Sequence, residues 1–167
     1  MHLIVRNQQI YGGESIFPCA IGRGGISAAK QEGDGATPLG TYPLRSLWYR
    51  PDRLQCPATG LLTRTITPFD GWCDDPEDPF YNRAVQRPYG GSHEEMWRAD
   101  SLYDLVIVVG YNDAPIIPGK GSAIFIHISR QGYSPTAGCV ALQREHLLTL
   151  LPYLSGASTL TIEPDSH

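Results

Sequence analysis

The sequence predicts a mostly β protein. Fourteen prolines and 18 glycines in 167 residues are more than a helical bundle carries, because proline lacks an N–H and glycine loosens the backbone. Apolar runs are short and punctuated by turn residues, and one stretch alone carries a helical stripe. The length fits a single domain over 1–167, and 41% hydrophobic residues can fill a core. Seventeen acidic against 13 basic residues, a net charge of −4, speak against a nucleic-acid binder with its basic stripe. No apolar run reaches the ~18 residues of a membrane-spanning helix.

Taken in order, Leu3–Val5 and Gln9–Tyr11 read as an opening hairpin around Arg6-Asn7-Gln8. Met1-His2-Leu3-Ile4-Val5-Arg6 is no signal peptide. That leaves cytosolic residence, export by another route, or a leader already removed. Ile16–Ile21 reads as a strand ending at Gly22-Arg23-Gly24-Gly25, and Gly33-Asp34-Gly35 as a tight turn. Thr41–Leu47 alternates as a strand. Residues 50–91 hold six prolines and are expected to form a long irregular cover, neither helix nor central strand, with Leu61–Thr67 as one strand inside it. Trp72, Phe80 and Tyr81 favour an ordered cover.

Ser92-His93-Glu94-Glu95 matches a capping box, so a short helix is expected from Ser92. Leu105–Val109 and Ala123–Ile128 read as buried central strands, and Cys139–Leu142 as a shorter one. Gln143–Leu154 is the helix, with Leu147, Leu150, Leu151 and Leu154 on one stripe. Thr159–Ile162 closes the chain as a strand.

His127 ends a buried strand, and Cys139 opens another after a turn-rich loop. A free thiol is mostly protonated at neutral pH, and a neighbouring imidazole can take its proton to leave a thiolate nucleophile. Gly138 removes a Cβ that would obstruct a carbonyl substrate. Against this stands the plain packing role that buried cysteine and histidine commonly fill. The four cysteines Cys19, Cys56, Cys73 and Cys139 are scattered and form no C-x-x-C pair, so neither a disulfide scaffold nor a metal site is expected.

Several blocks around this pair resemble the L,D-transpeptidase (YkuD-like) family. Lys30-Gln31-Glu32-Gly33-Asp34-Gly35-Ala36-Thr37-Pro38-Leu39-Gly40-Thr41-Tyr42 is similar to that family's K-x-E-G-D-G-x-T-P-x-G-x-Y/F signature. Trp72-Cys73-Asp74-Asp75-Pro76, Tyr81-Asn82-Arg83, Tyr103-Asp104, Gly110-Tyr111-Asn112 and the run from Pro118 to His127 resemble one branch of it. So does Pro135-Thr136-Ala137-Gly138-Cys139. The resemblance implies a β-sandwich with a few short helices and a long proline-rich covering loop, in the periplasm or facing the cell wall, with peptidoglycan stem peptides as substrates. It implies Cys139 as nucleophile, His127 as base, Gly138 and Cys139 as backbone donors to the oxyanion, and the Ile128 carbonyl as the group that orients the imidazole. Tyr111 is a lid or oxyanion-side donor on the same ground, and no metal or organic cofactor is implied.

Against the family's S-H-G-C-I/V-R-L block the chain carries Ala137 in place of His and Ala141 in place of Arg. The lost guanidinium would hold a substrate carboxylate, so Arg23, Arg83 and Arg130 become candidates to replace it. Trp72, Tyr81 and Asn82 are candidates to line an acceptor cleft, or else to pin the cover to the sheet. The acidic run Asp74-Asp75-Pro76-Glu77-Asp78 reads as an amine or cation site, or as a solvated turn. The implied reaction cross-links a diaminopimelate donor to a second diaminopimelate (3–3) or to L-Ala (1–3). A thiol carboxypeptidase, endopeptidase or amidase and a non-catalytic peptidoglycan-binding module are the alternatives.

Overall fold

A computed structural model describes residues 1–166 and is mostly β. Nine strands form one array in the order β13-β12-β11-β6-β14-β1-β2-β3, with β7 alongside β6. They are β1 (His2–Arg6), β2 (Gln9–Gly12), β3 (Ser15–Pro18), β6 (Gly40–Tyr49), β7 (Leu62–Thr65), β11 (Leu105–Val109), β12 (Phe125–Ile128), β13 (Val140–Leu142) and β14 (Thr159–Ile162). Two further strands, β4 (Ile26–Ser27) and β5 (Thr37–Pro38), pair in parallel beside it.

The ten-residue β6 serves both halves of the array. Gly40–Pro43 pair with β14, while Leu44–Tyr49 pair with β11, and a register shift falls between Val108 and Val109. Such an irregularity bends a strand, and here it turns one sheet into a second layer. At the open end Ala20 and Ala141 exchange two backbone hydrogen bonds, of 2.7 and 2.9 Å. The result is a sandwich with Leu3, Val5, Ile10, Leu47, Ile107, Ile126 and Leu142 in its centre.

The opening hairpin turns on Asn7 and Gln8, both at positive φ, as a tight two-residue turn requires. β3 ends at Pro18, earlier than the expected Ile21, because Cys19 and Ala20 leave the β2 ladder for Gln8 and Ala141. The expected helix over 143–154 divides into α1 (Arg144–Leu150) and a 3-10 turn at Leu151–Tyr153. Pro152 explains the break, since it donates no helical bond and its ring crowds the preceding turn. Leu147, Leu150, Leu151 and Leu154 all enter the core as the stripe predicts.

Two expectations fail in the cover. The Ser92 capping box starts no helix: His93–Glu95 is strand β10, paired with β8 (Asp70–Cys73), which also pairs with β9 (Ala84–Gln86). β8 is the central strand of that small sheet, although a proline-dense segment was expected to contain none. Its prolines stand outside the pairing residues, at Pro68 and Pro76, so no ladder donor is lost. Leu62–Thr65 is a strand as expected, shorter than Leu61–Thr67. No helix among the described residues is long and apolar enough to cross a membrane.

Candidate active site

Alternation along β11, β12 and β13 sorts their side chains onto two faces. Leu105, Ile107, Val109, Ile126, Ile128, Val140 and Leu142 point into the sandwich core. Val106, Val108, Phe125 and Cys139 point the other way, into a second cluster with Trp48, Ile66, Met96 and Tyr103 beneath the cover. His127 lies opposite Ala141 in the parallel β12–β13 ladder, and Cys139 is two residues before Ala141. Imidazole and thiol therefore leave the sheet on the same face.

Three backbone segments converge behind the thiol. A Cβ on Gly22 would meet Gly35 O at 2.1 Å, and one on Gly138, at φ +138°, would meet Ala36 O at 2.8 Å. Glycine is required at both for the Gly33-Asp34-Gly35 turn to approach Cys139. Thr37 locks the approach, accepting from Gly22 N (2.8 Å) and donating to Gly138 O (2.8 Å).

His127 Nδ1 sits 2.9 Å from Ile128 O. A carbonyl only accepts, so Nδ1 carries the proton and Nε2 keeps its lone pair. Burial lowers the imidazole pKa to about 4, so the ring is neutral at physiological pH. Burial likewise raises the Cys139 thiol to about 12, with Glu94 adding to the rise. Sγ donates to Ala123 O (3.2 Å) and accepts from Phe125 N (3.4 Å). At rest the pair is thus a thiol beside a neutral imidazole, with no hydrogen bond between them among the described residues.

Two clefts flank this centre. One, of about 220 Å³, is lined by His127, Tyr103, Glu94, Arg23, Arg130 and both alanines that replace the family's His and Arg, Ala137 and Ala141. The other, of about 520 Å³, is lined by Trp48, Trp72, Asn82, Arg83, Tyr111 and Ile124. Cys139 is buried and lines neither of the two: Ala137 and Ala141 on either side of it line the first, and its sulfur is held by Ala123 and Phe125, the neighbours of Ile124 in the second.

The candidate binding residues divide accordingly. Arg23 and Arg130 border the His127 cleft, and Trp72, Asn82, Arg83 and Tyr111 border the other. Tyr81 lines neither: its buried hydroxyl donates to Glu32 Oε1 (2.9 Å) and accepts from Gly121 N (2.9 Å). Asn82 clamps cover to sheet, accepting from Trp72 Nε1 and Ala123 N and donating to Tyr111 O and Asn112 O. The Tyr111 hydroxyl is spent on Lys120 O (2.5 Å) and Gly138 N–H on Thr136 Oγ1 (3.0 Å), so neither is a free oxyanion donor in this structure. The acidic run folds back on its own loop, Asp75 accepting from Glu77 N and Asp78 from Phe80 N and Tyr89 OH.

Glu94, Arg98 and Tyr103 were not singled out from the sequence. Glu94 was hidden inside the capping-box pattern, and Tyr103 offered no signal beyond its place in a family-like block. Among the described residues no three His, Cys, Asp or Glu side chains gather as metal ligands would.

Fold and site together define a β-sandwich protein with a buried cysteine and histidine on one sheet face. The YkuD family model, an L,D-transpeptidase catalytic domain, matches residues 1–162, and the chain belongs to that family. Among solved structures it is similar to the helical cell shape determining protein Pgp2 from Campylobacter jejuni, with 16% identity and a TM-score of 0.48. That similarity covers 99% of this chain and 48% of the other, so the chain spans about half the length of that protein. No curated protein matches it.

Proposed function

We propose that the protein is a peptidoglycan L,D-transpeptidase that works through a thioester on Cys139, on the wall-facing side of the membrane. The observation that carries this is the imidazole: Nδ1–H is fixed on Ile128 O, which leaves Nε2 as a base on the face that bears the thiol.

A stem peptide entering between the clefts displaces the thiol from Ala123 O. His127 Nε2 takes the thiol proton, and the thiolate attacks the carbonyl of the donor's diaminopimelate residue. The backbone N–H of Cys139 meets the resulting oxyanion. Collapse breaks the bond to the terminal D-amino acid, whose nitrogen leaves with the proton from His127. An acceptor amine then attacks the thioester, gives its proton to His127, and the thiolate recovers it as the new amide forms. Water competes at that second step, and an acceptor held in place gains the effective molarity of proximity. The larger, Trp-lined cleft suits that acceptor.

Incubation with purified disaccharide-tetrapeptides, alone and with added free tetrapeptide whose L-Ala amine is unblocked, followed by mass spectrometry, tests the reading. Dimers lacking one terminal D-Ala are expected, and their fragmentation distinguishes a 3–3 from a 1–3 bond. Shortened monomers alone would replace transpeptidation with hydrolysis. Unchanged substrate would leave only a binding module.

A further inference from the structure

The His127 cleft contains an acid that the reaction above does not use. In the β8–β10 ladder Glu94 stands directly opposite Trp72, and His93 and Glu95 occupy the alternate positions. Directly opposed residues share a face. Trp72 packs edge-on against Phe125 (5.2 Å between ring centroids), so Glu94 is turned inward to the same centre. His93 and Glu95 are on the other face, where Arg87 binds both.

Glu94 Oε2 accepts from Tyr103 OH (3.0 Å), and the Tyr103 ring packs edge-on to His127 (5.3 Å). Among the described residues Oε1 has no hydrogen-bond partner, and no cation reaches Glu94 at ion-pairing distance. The adjacent Arg98 is taken by Asp100 through two bonds, of 2.8 and 2.7 Å. Arg23 and Arg130, on the walls of the same cleft, form no ion pair among the described residues either. A carboxyl and two exposed guanidiniums, none of them within ion-pairing distance of an opposite charge among the described residues, thus border one space of about 220 Å³.

We propose that this cleft is a zwitterion site, in which Glu94 takes a substrate ammonium group while Arg23 and Arg130 take the carboxylate beside it. The ligand class is the end of an amino acid carrying both charges on neighbouring atoms; its attachment to a stem peptide rests on the transpeptidase reading. Glu94 thereby acts as a specificity residue. Several groups act electrostatically on its carboxyl: Tyr103 and Arg98, Asp74 across the small sheet, Glu32 just before the Gly33-Asp34-Gly35 turn, and Cys139 on the central strands. Burial, reinforced by Asp74 and Glu32, holds its pKa up to about 7. A bound cation supplies the missing opposite charge and draws the group into its ionised form. Tyr103 keeps the carboxyl oriented through Oε2 and leaves Oε1 for the ligand.

Either the acyl donor or the acceptor could bring this end, and acylation and discharge of Cys139 separate the two. Acylation by a tetrapeptide donor is followed by intact-protein mass spectrometry, with the diaminopimelate side-chain amine free or acetylated. If the donor fills the site, acetylation slows wild-type acylation about tenfold, the weight of one charged hydrogen bond. Glu94→Gln, which keeps the shape and an acceptor for Tyr103, is then equally slow with both donors. If the acceptor fills it, Glu94→Gln acylates normally, and the acceptor concentration for half-maximal discharge rises about tenfold. Unchanged rates in both arms, or a slowed variant that still distinguishes free from acetylated donor, overturn the proposal. Should wild-type protein form no acyl-enzyme, the transpeptidase reading falls by itself. Calorimetry with free diaminopimelate then decides the site: weaker binding by Glu94→Gln upholds it, and equal affinity refutes it.

Discussion

The two faces of β11, β12 and β13 are built from alternate residues of the same strands, yet they have opposite characters. The inner face is aliphatic throughout and joins the core beneath α1 and β1. The outer face carries Phe125, His127 and Cys139 under a cover rich in tryptophan, tyrosine and charge. One side supplies packing free energy, and the other spends some of it on buried polar groups. A strand closed in on both sides can hold reactive atoms still because its other face does not move.

Substitutions on the two faces should separate stability from chemistry. Cys139→Ala is expected to remove acyl-enzyme and cross-linked product by on the order of 10³-fold or more, with folding stability close to wild type. Product assays beside urea unfolding would show this, and the exposed Cys56→Ala should leave both unchanged. Activity retained by Cys139→Ala would break the assignment of the outer face. Ile126→Ala, one residue from His127 and fully buried on the inner face, should cost about 2–5 kcal/mol in urea unfolding. Its turnover per folded molecule should hold.

The imidazole offers a pH test of comparable size. His127 titrates near 4 when folded, well below an ordinary histidine, so between those values the unfolded chain takes up a proton that the folded one refuses. Stability contributed by the neutral ring is present at pH 7 and falls as pH drops from about 6.5 toward 4, by about 3 kcal/mol. Denaturation midpoints across that window should slope less steeply in His127→Gln, and parallel slopes would contradict the buried neutral ring. The smallest effect is expected at Ser92. With no helix to cap, and its hydroxyl on the half-buried Asp74 carboxylate in a bond open to solvent, Ser92→Ala should change stability by no more than about 0.5 kcal/mol. A loss of 1 kcal/mol or more would restore the capping reading.

Legibility followed the range of the forces involved. Leu105–Val109 was readable in full, and Ala123–Ile128 in its Phe125–Ile128 part, because β-branched, apolar runs state their burial locally. The placing of His127 and Cys139 on one face needed only the period of two, once their strands paired. The small sheet of the cover was not readable: its strands have three or four residues, and contacts with Trp48, Phe125 and Tyr103 hold them rather than their own pattern. Ser92 to Glu95 shows the failure most plainly, since a sound local helix signal yields to the pairing of Glu94 with Trp72. The separation of the candidate binding residues into two clefts depends on the folded path of residues 50–91, which no local pattern encodes.

The backbone link between Ala20 and Ala141 fastens the segment after β3 to the strand that follows the thiol, across 120 intervening positions. It leaves Cys139 flanked on both borders, so that loosening it means prising apart the first and last thirds of the polypeptide together. Amide deuteration would register this as matched, slow uptake at the two alanines, the signature of a seam that opens as one event.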